Sequence, residues 1–83
     1  MKTQTTRQAC NEHDLVQLLN WELAAYERCN GARFTSIRSA ASQDPSGCNW
    51  RDARLKSDHS RDRRERRSVR RVIAQTRREF NLS

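Results

Sequence analysis

The sequence predicts a small single-domain α+β protein of α-β-β-α order: an N-terminal amphipathic helix, a β-hairpin and a C-terminal arginine-rich helix. Two stretches, 11–29 and 59–80, carry apolar residues at helical spacing. Between them, aromatic and β-branched residues flank Asp44-Pro45-Ser46-Gly47, which fits a type I turn with Asp at i, Pro at i+1 and Gly at i+3. Residues 1–10 are expected to be a flexible N-terminus and 11–83 the domain.

In the first helix Leu15, Val16, Leu18, Leu19, Leu23, Ala25, Tyr26 and Cys29 fall in one broad sector at about 100° per residue. Asn11 can cap its start and Asp14 sits in the first turn, where the helix dipole favours a carboxylate. Asn30-Gly31 supplies the left-handed residue expected to end it. Glu22 falls inside the apolar sector and Trp21 outside it. Trp21 then either covers the edge of the core or anchors a partner, since tryptophan is enriched at binding hot spots.

The hairpin is expected over about 33–54, from Arg33-Phe34-Thr35-Ser36-Ile37-Arg38 to Cys48-Asn49-Trp50 and beyond, with Ser39 to Gln43 lengthening the connection. Phe34, Ile37 and Trp50 would form the layer that packs on the first helix. In the second helix, 59–80, Val69, Val72, Ile73, Thr76 and Phe80 follow at 3-4-3-4 spacing, with Ser57, Asp58 or Ser60 as cap. The turns from Arg61 to Arg67 lack that stripe and should project into solvent.

Composition narrows the function. Leu, Ile, Val and Phe are 13 of 83 residues, a thin core that a partner or oligomer would help to complete. Two glycines leave no room for a Gly-rich phosphate loop, and the length excludes most enzymes with a buried cofactor cleft. His13 and His59 have no nucleophile partner in a recognisable motif, and Asp52, Asp58 and Asp62 are poorly spaced for a metal-dependent nuclease. The expectation is a binding protein, not an enzyme, with no cofactor. No apolar run approaches a membrane span and no secretory signal opens the chain, so a cytoplasmic protein of a bacterial host cell is expected.

Three cysteines, an odd number, fit reduced thiols better than a disulfide framework. Cys10 and His13 stand at C-x-x-H spacing, and Cys29 and Cys48 would complete a Cys3His zinc set. A second close ligand pair is missing, so the cysteines read better as small core residues.

Charge is the dominant signal. Residues 1–50 hold five basic and five acidic side chains, whereas 51–83 hold twelve basic and five acidic, so the whole net charge of +7 lies in the last 33 residues. Fifteen of the seventeen basic residues are arginine, suited to bidentate phosphate or carboxylate contacts. With Val69 at zero, the apolar stripe spans about −60° to +40°, and Arg63, Arg64, Arg67, Arg70, Arg71 and Arg78 span about 100° to 220°. Asp62, Glu65 and Glu79 fall on or near the apolar side, and Asp62 suits an i,i+4 pair with Arg66. Like charges at 63/67, 67/70 and 67/71 repel by a few tenths of a kcal/mol each, a cost that points to an external anion. A solvated face that serves only solubility is the plainer reading. Arg33, Arg38, Arg51 and Arg54 on the hairpin would extend the patch. No sequence-reading motif for nucleic acid is present, so contact led by phosphates is expected.

Arg33-Phe34-Thr35-Ser36 and Gly47-Cys48-Asn49-Trp50, with Ile73-Ala74 and Arg78-Glu79-Phe80-Asn81-Leu82, resemble small uncharacterised proteins of proteobacterial prophages and mobile elements. The resemblance covers 14–50 and 72–82 and leaves out the arginine stretch. It implies a phage context, in which small proteins bind and block host machinery, anti-CRISPR proteins among them. Two readings follow. The first is a small basic protein engaging nucleic acid, or a nucleoprotein complex, through the six arginines of the second helix. The alternative is an anti-CRISPR-type inhibitor binding a host CRISPR-Cas effector protein-to-protein, its arginines meeting an acidic surface and Trp21, Trp50 or Tyr26 serving as partner anchors. A homodimer completing the core through the second helix's apolar stripe is a third expectation.

Overall fold

A computed structural model describes residues 7–57 and 63–83. The chain runs β1 (Gln8–Cys10), α1 (Glu12–Leu23), a 3-10 turn (Glu27–Cys29), β2 (Arg33–Ser39), β3 (Trp50–Lys56), α2 (Arg63–Glu79) and β4 (Phe80–Leu82). The predicted α+β class and α-β-β-α order hold, with a short strand added before the first helix and another after the second. Asp58 and Ser60 as caps, the helix start at 59 and the Asp62 partner for Arg66 lie outside the described residues.

α1 starts as its sequence dictates. Asn11 is extended and its side chain accepts the Asp14 N–H at 2.8 Å, with Glu12 and Asp14 in the first turn. Leu15, Leu19 and Leu23 form its buried stripe. The helix ends at Leu23, six residues before the expected end, although Ala24-Ala25 is no local breaker. Tertiary contacts decide the end. The Asn20 side chain accepts the Phe34 N–H at 2.7 Å and donates to the Phe34 carbonyl at 3.1 Å, which fixes β2 against the helix. Cys29 is buried with its thiol toward the Glu65 carbonyl of α2. A helix continued to Cys29 would carry it about 9 Å along the axis, away from that contact. Gly31, at φ 94°, therefore follows the 3-10 turn instead of closing α1.

β2 and β3 pair antiparallel, from Arg33 opposite Lys56 to Ser39 opposite Trp50. Their apolar residues stand three apart, Phe34 and Ile37 on one strand, Trp50 and Ala53 on the other, which a regular strand would send to opposite faces. Register shifts between Phe34 and Ser36 and between Arg38 and Ser39 leave Thr35 and Arg51 as extra residues, and the shifts return both apolar sets to one face. α1 also closes the free edge of β2: besides Asn20 on Phe34, Glu12 accepts the Ile37 N–H at 2.9 Å. The connecting loop is built on Asp44. Its carbonyl accepts the Gly47 N–H at 2.8 Å and its carboxylate the Ser46 and Cys48 N–H groups, while Gly47 takes φ 93°.

The first and last strands meet, which corrects two expectations. Gln8–Cys10 is a strand, not part of a flexible N-terminus, and it pairs parallel with Phe80–Leu82. Phe80 accordingly leaves the helix. Its carbonyl accepts the Trp50 indole N–H at 3.0 Å, and the Asn49 side chain bonds both the N–H and the carbonyl of Leu82.

The core comprises Leu15, Leu19 and Leu23 of α1, Cys29, Phe34, Cys48, Trp50, Ala53 and Val72. α2 turns Glu65, Ser68, Val72 and Thr76 inward, with Val69 and Ile73 half-buried beside them. The stripe read as a dimer surface is thus covered within the chain by α1, the 3-10 turn and the hairpin. Both ends of α2 are tied to the β3 segment, at Trp50 and at Ser57 just after the strand. The fully buried Glu65 carboxylate accepts the Ser57 hydroxyl at 2.8 and 2.9 Å, and Arg77 donates to the Trp50 carbonyl at 3.0 Å. A helix of about 25 Å thereby runs beside a strand of about 23 Å, the lengths matching. Among the described residues no helix is long and apolar enough to cross a membrane.

Candidate functional site

The inward stripe fixes which side of α2 looks out. Arg63, Arg64, Arg67, Arg70, Arg71 and Arg78, the six predicted site residues, are all exposed on that outward side. From Arg63 to Arg78 the helix rises about 22 Å. Two shallow grooves run along it, one lined by Arg63, Arg66, Arg67 and Arg70, the other by Arg67, Arg70, Arg71 and Arg78 around Ala74. Shared Arg67 and Arg70 make them one continuous surface. Ala74 holds its centre with a side chain too short to obstruct a ligand, and Arg70, Arg71 and Arg78 lie one turn to either side of it.

Arg66 belongs to this surface and was not among the predicted site residues. It lies about 60° from Val69, between the stripe and the arginine face, and it lines the first groove with Arg63, Arg67 and Arg70. Among the described residues Arg63, Arg66, Arg67, Arg70, Arg71 and Arg78 make no ion pair with an acidic side chain. Glu79 is the acidic residue at the groove's edge.

Arg77 behaves differently. It is half-buried, ion-paired with Asp44 at 2.5 Å and bonded to the Trp50 carbonyl. Arg7 adds a second clamp, donating to the Arg77 carbonyl at 3.0 Å and to the Ser46 carbonyl. The Ser46 hydroxyl and the Cys48 N–H, with help from the Ser46 N–H and Arg77, hold the Asp44 carboxyl far below the usual aspartate range, against a smaller opposing effect of burial. Local periodicity could not reveal this cluster, because the contacts of Arg7 and Arg77 with the rest of it join residues 27 to 70 positions apart.

The hairpin arginines do not extend the α2 surface. Arg33, Arg38, Arg51 and Arg54 are exposed, but neither arginine groove of α2 includes them, and the groove at Arg33 and Lys56 includes no α2 residue.

The three expected anchors separate. Trp21 is 75% exposed beside Ala24 and Ala25. Trp50 is fully buried, its indole N–H bonded inside the fold, so it is a core residue and not a partner anchor. Tyr26 is half-buried and lines a concavity of about 690 Å³ between the end of α1 and the start of β2.

The four residues weighed for zinc are not brought together. Among the described residues no group of three or more His, Cys, Asp or Glu side chains is arranged to hold a metal. Cys29 and Cys48 are buried with their thiols toward the Glu65 and Trp50 carbonyls. Burial, with the Asp14 charge adding to it, pushes the Cys10 thiol up and disfavours the thiolate a metal would need. No family model, no curated protein and no solved structure matches the chain.

Proposed function

We propose that this protein binds nucleic acid through the outward face of α2, contacting phosphates with Arg63, Arg64, Arg67, Arg70, Arg71 and Arg78 and, beside them, Arg66. One contrast carries the reading. The arginine that α2 turns inward, Arg77, has an acidic partner at 2.5 Å, whereas Arg63, Arg66, Arg67, Arg70, Arg71 and Arg78 have none among the described residues. Like charges one turn apart repel, and a polyanion laid along the helix converts that cost into attraction. Guanidinium groups spread over about 22 Å suit a row of phosphates better than a single small anion. The face has no large apolar side chain, which supports phosphate-led contact with weak sequence selectivity.

Fluorescence anisotropy with labelled duplex DNA and single-stranded RNA tests it. Wild type should bind, and an Arg67/Arg71/Arg78→Glu variant of unchanged thermal stability should bind far more weakly. Absence of wild-type binding to both probes at low salt would end the reading.

The exposure of Trp21 favours a second reading, a protein-to-protein inhibitor of the anti-CRISPR type that docks a host effector on the Trp21 side of α1. Competition separates the two. Unrelated nucleic acid displaces a phosphate-led contact and leaves a hydrophobic anchor in place. Inhibition of a CRISPR effector that Trp21→Ala abolishes would favour the second reading.

A further inference from the structure

The hairpin carries a second basic surface. Arg33 stands opposite Lys56, Ser36 opposite Arg54 and Arg38 opposite Asp52, and directly opposed residues share a face. The pairs Phe34–Leu55 and Ile37–Ala53 turn toward the core, so these three turn outward. Arg33, Arg38, Arg54, Lys56 and the bulge residue Arg51 are all exposed, with Asp52 the acid among them. Arg33 and Lys56 are like charges directly across the ladder, an unfavourable arrangement, and neither has an acidic partner among the described residues. α2 lies on the other side of this hairpin, where Val72 joins Phe34, Trp50 and Ala53 in the core.

We infer that the protein is a nucleic-acid bridge, one segment lying on the outward face of α2 and a second on the outer face of the hairpin. The inference rests on the reading of the α2 face given above. The second occupant is again a polyanion, because the hairpin face offers Arg33, Arg38, Arg54 and Lys56 and no large exposed apolar side chain on which a protein partner would anchor. The two faces are held in fixed relation, since Glu65–Ser57 and Arg77–Trp50 tie α2 to both ends of the β3 segment. One chain can then join two duplexes without self-association.

The test uses the full chain with a mixture of donor-labelled and acceptor-labelled duplexes, read by energy transfer between duplexes, with anisotropy of one labelled duplex in parallel. Wild type should bind and raise the transfer. Arg33→Gln/Arg54→Gln/Lys56→Gln, exposed changes checked by circular dichroism, should keep single-duplex affinity within about three-fold and lose the transfer. The Arg67/Arg71/Arg78→Glu variant should also lose the transfer. Binding without transfer by wild type overturns the bridge and leaves the α2 reading standing. Transfer fully retained by the hairpin variant also overturns it, placing the joining of duplexes elsewhere, in self-association or at the α2 face alone. No binding by wild type overturns both.

Discussion

Asn49 holds Leu82 as a neighbouring strand would: its side-chain oxygen accepts the Leu82 N–H at 2.7 Å and its amide donates to the Leu82 carbonyl at 2.7 Å. β4 is thereby held by β1 along one edge and by side chains on the other, Asn49 on Leu82 and the Trp50 indole on Phe80. Asn49→Ala leaves two half-buried backbone groups without partners, which costs about 1–3 kcal/mol. In a domain of this size each kcal/mol lowers the melting temperature by about 4–8 °C. Asn49→Asp keeps the acceptor but sets a carboxylate oxygen against the Leu82 carbonyl, so it should not recover the wild-type melting temperature. An Asn49→Ala protein as stable as wild type would show that β4 does not depend on the Asn49 bonds.

Acid should loosen the loop through Asp44. Its folded-state carboxyl is held below the ordinary aspartate value of 3.8, so the stability it confers is fully present above that value and is lost as pH falls toward the folded value. Urea unfolding between pH 6 and pH 2 should therefore show wild-type stability dropping below about pH 4 more steeply than that of Asp44→Asn. Parallel curves would contradict the assignment.

Two neighbouring kinds of arginine on α2 should respond oppositely. Arg66→Gln should leave thermal stability unchanged and lower the salt slope of nucleic-acid binding by about one. Arg77→Gln removes the Asp44 ion pair and the bond to the Trp50 carbonyl, so it should lower the unfolding midpoint and leave the slope close to wild type. A slope loss with Arg77→Gln of unchanged stability would mean that Arg77 also faces the ligand.

Trp21→Ala removes a side chain that is three-quarters exposed, so stability should change by no more than about 0.5 kcal/mol. Nucleic-acid affinity should not change either, because Trp21 is on α1 and outside both arginine grooves. A clear loss of affinity would bring an aromatic stacking contact into the interface.

The elements that local chemistry specifies were legible in the sequence. The Asn11 cap, the leucine stripe of α1, the Asp44-Pro45-Ser46-Gly47 turn and the stripe of α2 each depend on residues within a few positions of one another. The end of α1 was not, because Ala24-Ala25 favours helix and the break serves contacts of Asn20 with Phe34 and of Cys29 with α2. Pairing of Gln8 with Phe80 leaves no local trace, and the two bulges hide the common face of Phe34 and Ile37 behind a three-residue spacing. For the arginine face, helical angles placed the six residues outward correctly. They could not assign Arg66, which lies at the margin, or show that the hairpin arginines stand on the opposite layer. Trp50 fitted both a core layer and a surface anchor by residue type, and full burial decides between them.

The most direct test of the α2 face is the dependence of duplex affinity on salt, from 50 to 300 mM, for wild type and the Arg67/Arg71/Arg78→Glu variant. Seven phosphate contacts predict a log–log slope of about −6 for wild type, and the variant should bind far more weakly across the range. A wild-type slope near zero, or equal affinities for the two proteins, would contradict phosphate binding by this face.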